Sequence, residues 1–123
     1  MPRFSVKARI RSFKFAIQGI ITMMKEEHNF YIHMVAAAVV IAAGFWFEVS
    51  RSEWLWLVFA IGLVFSAETF NSAIEKLVDL KQPEHDPLAG KIKNLAAGAV
   101  LLAAITAVVI GVIIFWPYLE RFI

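Results

Sequence analysis

Apolar residues fill three long stretches of this chain, residues 30–49, 54–79 and 95–117, and each is near the ~20 residues that a helix needs to cross a 30 Å hydrocarbon core. The segment before them has another rhythm. Ile10, Phe13, Ile17, Ile20, Ile21 and Met24 recur at spacings of three and four, while Lys7, Arg11, Lys14, Gln18 and Lys25 take the opposite face, as in an amphipathic helix lying in a membrane interface. Lys81–Gly90 carries the turn formers Pro83, Pro87 and Gly90 and is the one real linker. The pattern predicts an all-α integral membrane protein with a single domain over 1–123, a surface helix over 1–29 and membrane helices over 30–49, 54–79 and 95–117. Small residues at every fourth position of the last run, Ala99, Ala103, Ala107 and Gly111, offer a face for close helix packing. Three spans make a thin bundle, so self-association is expected.

The second apolar run does not stay apolar. Glu68, Asn71, Glu75 and Asp79 fall at roughly 0, −60, −20 and +20° on a helix of about 100° per residue, one polar stripe on a single face. An ionisable group at bilayer depth costs several kcal/mol and is expected only where it faces protein or water and has a task, usually binding a cation or moving a proton. With about 1.5 Å per residue counted from Trp54, Glu68 lies about 21 Å in and Glu75 about 31 Å. A lone carboxylate near a helix end reads equally well as a snorkelling group; a deep Glu68 sharing its face with three polar neighbours does not. Of the carboxylates that close the surface helix, Glu26 reads as solvated, while Glu27 shares the depth of Glu75.

Composition agrees with this reading and sets the orientation. The chain is 60% hydrophobic, with a mean hydropathy of +0.70, far above an ordinary soluble domain. Of its 12 Lys and Arg, Arg3, Lys7, Arg9, Arg11, Lys14 and Lys25 precede the first span and Lys76, Lys81, Lys91 and Lys93 lie between spans two and three, leaving Arg51 and Arg121. The positive-inside rule then places the N-terminus and second loop in the cytoplasm. Trp46, Trp54, Trp56, Trp116 and Tyr118 all map to the opposite ends of the spans, at headgroup level. The absence of cysteine excludes disulfides, thiolate metal sites and Cys nucleophiles. His28, His33 and His85 lack the i, i+4 spacing of a zinc helix and read as satisfied or solvated. A net charge of +2, with its cations spread along a membrane surface, makes no nucleic-acid groove. No GxxxxGK[ST] phosphate loop is present.

Glu68-x-x-Asn71-Ser72-Ala73-Ile74-Glu75-x-x-Val78-Asp79, in the second of three spans after an amphipathic helix, resembles the signature of the prokaryotic diacylglycerol kinase family of small integral-membrane lipid kinases. The resemblance covers nearly the whole chain. Ala16-Ile17-Gln18-Gly19, Glu27-x-Asn29-Phe30-x-x-His33, His85-x-Pro87-Leu88-Ala89 and Lys93-x-Leu95-Ala96-Ala97-Gly98 resemble its undecaprenol kinase branch more than the enterobacterial diacylglycerol kinases. The resemblance implies a homotrimer in the bacterial inner membrane, with sites partly shared between subunits at the cytoplasmic interface. It implies transfer of the γ-phosphoryl group of Mg-ATP to a lipid hydroxyl, of undecaprenol or alternatively of diacylglycerol. By position, Glu68 matches the general base, Glu27 and Glu75 the carboxylates that hold Mg2+ on the phosphates, and Asn71 a group between base and metal. Lys93 matches a cation on ATP phosphate oxygens, and Glu84, His85 and Asp86 match the loop that meets the nucleotide. Where the family usually has aspartate after that lysine, this chain has Asn94.

Two other classes use part of the same pattern. A small proton-coupled transporter also needs a membrane glutamate, yet it wants that group near mid-bilayer with access from both sides; here the polar groups accumulate toward one end. A structural membrane oligomer has no use for the stripe and would tolerate Glu68→Leu.

Overall fold

The computed structural model describes residues 3–123, so the first two residues of the expected surface helix lie outside it. Four helices follow one another: α1 (Val6–Glu26), α2 (His28–Trp46), α3 (Arg51–Lys81) and α4 (Pro87–Glu120). The last three are each long and apolar enough to cross a membrane.

Local chemistry fixes where each begins. Ser5 caps α1 by accepting from the Ala8 amide at 3.3 Å. Glu27 leaves the helical region, at φ −105° and ψ 112°, and so ends α1 and opens α2 in one residue. Glu48 takes a left-handed φ of 51° in the turn after α2, the conformation that lets the chain reverse within a few residues. Ser50 and Glu53 then form a reciprocal capping box, so α3 starts at Arg51, ahead of the apolar run. Asp86 accepts from the Ala89 amide at 3.0 Å with Pro87 in the first turn. Hence α4 opens eight residues before the third apolar run at Leu95, and the expected ten-residue linker shortens to residues 82–86.

Helices α3 and α4 form the antiparallel backbone of the molecule. Tyr118 donates to Glu53 at 2.5 Å at one end, and Lys93 donates to Asp79 at 2.5 Å at the other. Leu57 and Ile114 are buried together between these ties, with Val49. Each advance along α3 is matched by an equal retreat along α4, so the pair keeps register over about 39 Å of helix, more than a hydrocarbon core. Ala96 and Ala103 are buried on α4 and Ala60 and Val64 on α3. The expected small-residue face therefore packs in part within the chain, through Ala103, whereas Ala99 stays exposed.

The other two helices bury little against this pair. In α2 only Phe30 and Gly44 are buried, and in α1 only Met23. Phe13 is 72% and Ile17 57% exposed, so among the described residues most of the apolar face of α1 stays uncovered, as a helix in the lipid interface requires. Polar side chains within the spans satisfy themselves locally: Thr69 and Thr106 donate to the carbonyls of Phe65 and Leu102.

At the tryptophan-rich end, a β-carbon on Gly44 would stand 2.5 Å from the Trp54 ring, which itself packs at a tilt against Phe45, centroids 4.9 Å apart. We expect Gly44→Ala to destabilise the protein by about 1–3 kcal/mol, read as a lower thermal midpoint in detergent, with a small effect on any chemistry at the far end.

Candidate functional site

The groups that the sequence places on one face of α3 stand at the end of the bundle away from the tryptophans; Glu68 and Asp79 reach other helices, while Asn71 and Glu75 pair with each other. Glu68 meets α2: its Oε1 lies 2.5 Å from His33 Nε2. Its side chain is 12% exposed and that of His33 22%, so the pair is shielded inside the helix bundle. Phe65, one turn earlier on α3, sets its ring edge-on to the imidazole at 6.4 Å and leans on Phe30 at 5.3 Å.

One turn beyond Glu68, Ser72 is buried and donates to Glu27 Oε1 at 2.5 Å, and Lys76 reaches the same oxygen at 3.5 Å. Glu27 sits at the break between α1 and α2, outside both helices, and its side chain crosses to α3. Glu27 is thus anchored and Glu26 exposed, as the sequence divides them. Asn71 Nδ2 donates to Glu75 Oε1 at 3.3 Å, and Asn71 Oδ1 is buried with no hydrogen-bond partner. A buried amide oxygen left unpaired costs ~1–3 kcal/mol; its natural partner is a donor or cation brought by a ligand.

Glu75 follows Ser72 by three residues and so neighbours the stretch of α3 that Glu27 meets. Two carboxylates, each with one oxygen in no protein hydrogen bond, and a free amide carbonyl are hard oxygen donors of the kind Mg2+ accepts. Among the described residues no three His, Asp or Glu side chains cluster as a metal cage. A Mg2+ that takes one or two carboxylates and completes its shell with phosphate and water needs none.

At the last turn of the stripe Asp79 holds Lys93, so the lysine matched to ATP phosphate is engaged with a carboxylate here. Asp86 serves as the cap of α4, while Glu84, His85 and Asn94 are exposed. Among the described residues, no hydrogen bond or ion pair joins Glu84, His85, Asp86 or Asn94 to Glu68 or Glu75. Sequence reasoning missed His33, Ser72 and Lys76. In the sequence the first reads as a satisfied or solvated histidine, and the other two lie near the stripe without standing out in it.

An apolar crevice of about 240 Å3 runs between α2, α3 and α4, with His33 at one end of the lining and Ala37, Ala60, Ala104, Ala107 and Gly111 among the rest. Through His33 the polar pair adjoins an apolar space, an arrangement suited to chemistry on an amphiphile with a polar head.

Comparison with known proteins bears on this geometry directly. A family model described as prokaryotic diacylglycerol kinase matches residues 14–115. The undecaprenol kinase of Bacillus subtilis (strain 168) is 43% identical over 109 residues, covering 89% of this chain and 89% of that protein. The diacylglycerol kinase of Synechocystis is 38% identical over 102 residues, 81% of this chain and 58% of that protein. That of Escherichia coli (strain K12) is 29% identical over 109 residues, 89% of each.

Proposed function

The chain belongs to the prokaryotic diacylglycerol kinase family and is a lipid kinase, and from that premise we propose that it transfers the γ-phosphoryl group of ATP to the hydroxyl of undecaprenol, giving undecaprenyl phosphate. The acceptor is chosen on the 43% identity to an undecaprenol kinase; the diacylglycerol kinases among the relatives make diacylglycerol the alternative. The observation that carries the chemistry is the carboxylate of Glu68, 12% exposed and held by His33, which itself lines an apolar crevice between α2, α3 and α4.

Glu68 takes the proton of the acceptor hydroxyl. Glu27 and Glu75 would hold Mg2+, which, when bound, neutralises phosphate charge and aligns the γ-phosphoryl group. Asn71 offers its unpaired Oδ1 to a donor between the two. Lys93 leaves Asp79 for a phosphate oxygen, one charge-assisted bond replacing another at little net cost. Phosphoryl transfer needs mainly positioning and charge neutralisation, so these few groups suffice without a soluble kinase fold. Glu84, His85 and Asp86 meet the nucleotide from the loop before α4. That none of them is joined to Glu75 by a hydrogen bond among the described residues supports a homotrimer whose sites draw on neighbouring subunits. The basic N-terminus and the Lys76–Lys93 segment support a cytoplasmic placement of this end, in the bacterial inner membrane.

The test is transfer of label from γ-labelled ATP, with Mg2+, to undecaprenol and to diacylglycerol in parallel mixed micelles. Label in undecaprenol is expected; label in diacylglycerol alone would move the acceptor to the alternative, and label in neither would overturn the reading. An Asn94→Asp form run beside it is expected to change KM for ATP by no more than about two- to fivefold, since an exposed charge contributes roughly 0.2–1 kcal/mol.

A further inference from the structure

Among the described residues, Glu68 has one hydrogen bond, the 2.5 Å contact with His33. No backbone amide and no residue of its own helix fixes its carboxylate, which is unusual for a group that has to meet a reacting atom in one geometry. A carboxylate that takes a proton must first be ionised, and an ionised carboxylate only accepts hydrogen bonds. The imidazole therefore donates its Nε2–H to Oε1. The imidazole is in turn held edge-on by Phe65, which is braced by Phe30. This chain of contacts runs from the buried start of α2 to the carboxylate on α3 and has no counterpart at Glu27 or Glu75, which are fixed by other groups.

We propose that His33 is a positioning residue for the transfer: it locks Glu68 through Oε1 and leaves Oε2 as the atom that receives the acceptor's proton. The role rests on the kinase reading above. In the step, the acceptor O–H bond breaks and its proton moves to Oε2. The acceptor oxygen forms its bond to the γ-phosphorus, and the bond from that phosphorus to the bridging oxygen breaks, ADP leaving with the electron pair. His33 keeps its own proton throughout and touches neither nucleotide nor phosphorus. Loss of the bond frees the torsions of a glutamate side chain, and a misplacement near 1 Å costs up to about a hundredfold in rate.

Two readouts test this. The first is the kinetics of His33→Leu and His33→Gln in mixed micelles. His33→Leu is expected to lower kcat by roughly ten- to a hundredfold, with KM for ATP and for acceptor within about twofold. His33→Gln, whose amide N–H reaches the place of Nε2, is expected to recover most of that loss. Added to Glu68→Gln, His33→Leu is expected to cost nothing further, because a positioned group that has been removed cannot be mispositioned. An unchanged kcat in His33→Leu, or a loss confined to KM, would overturn the role. The second readout is independent of activity. Nitrogen NMR of histidine-labelled protein in micelles resolves His33 from His28 and His85 by its loss in His33→Gln. The downfield Nε2–H proton of an imidazole bonded to a carboxylate is expected in the parent protein and lost in Glu68→Leu, but kept in Glu26→Gln. A His33 signal indifferent to Glu68→Leu overturns the pairing whatever the activity. A parent protein that labels no lipid brings down the kinase reading and the positioning role together, with the NMR still reporting the pair.

Discussion

Glu68→Gln is expected to abolish lipid phosphorylation while Mg-ATP still binds. The amide has the shape of the carboxylate and can still accept from His33 Nε2–H, so the contact between α2 and α3 survives; what it cannot do is take a proton. General-base assistance is worth roughly 10²–10⁴-fold, and a fall in kcat of that size is expected, with KM for ATP within about threefold. Separation along α3 explains why binding is spared: Glu68 and Glu75 are about 10 Å apart in axial rise, enough for a hydroxyl and a phosphoryl group to lie between them. Stability should not fall, because an ionisable group at bilayer depth is itself a cost. The variant's thermal midpoint in detergent is expected to match or exceed that of the parent. Parallel losses of kcat and ATP affinity would show that Glu68 belongs to the nucleotide site instead.

The parts of this architecture that repeat along one helix were legible in the sequence, and the parts that depend on two helices meeting were not. The stripe from Glu68 to Asp79 and the apolar face of α1 follow from a 3.6-residue period, and the three long apolar helices from run length. His33 carries no such signal. It stands 35 residues from Glu68 on another helix, and in its own helix it is one polar residue on an apolar surface. Ser72 was hidden differently: a small hydroxyl inside the motif, it becomes informative only once Glu27 is seen to need a donor. The helix ends erred for a third reason. Hydropathy marks where lipid begins, whereas Ser50, Glu53 and Asp86 mark where backbone hydrogen bonding begins, and caps extend α3 and α4 beyond their apolar runs. Lys93 illustrates the remaining gap. Its assignment to phosphate came from resemblance, and its contact with Asp79 makes it an exchangeable partner rather than a free cation.

Glu75→Gln should fail in the opposite way to Glu68→Gln. Its Oε1 accepts from Asn71 Nδ2, a bond the glutamine oxygen can keep, so the local helix packing is expected to hold while one negative hard ligand is lost. A Mg2+ that relies on one or two carboxylates before phosphate completes its shell has little redundancy, so removing one charge is expected to raise the Mg2+ needed for half-maximal activity by about tenfold or more, a change of roughly 1.4 kcal/mol or greater. Titration of a non-hydrolysable ATP analogue at stepped Mg2+ gives the same comparison without turnover. Glu27→Gln should resemble Glu75→Gln in its metal requirement but be less stable, because Ser72 and Lys76 both lean on that carboxylate and removing its charge leaves Lys76 unpaired beside a buried hydroxyl. An unchanged Mg2+ dependence in both variants would dismiss the carboxylate pair as the metal's seat. A shift in one alone would assign the metal to that side, either to the junction of α1 and α2 or to α3.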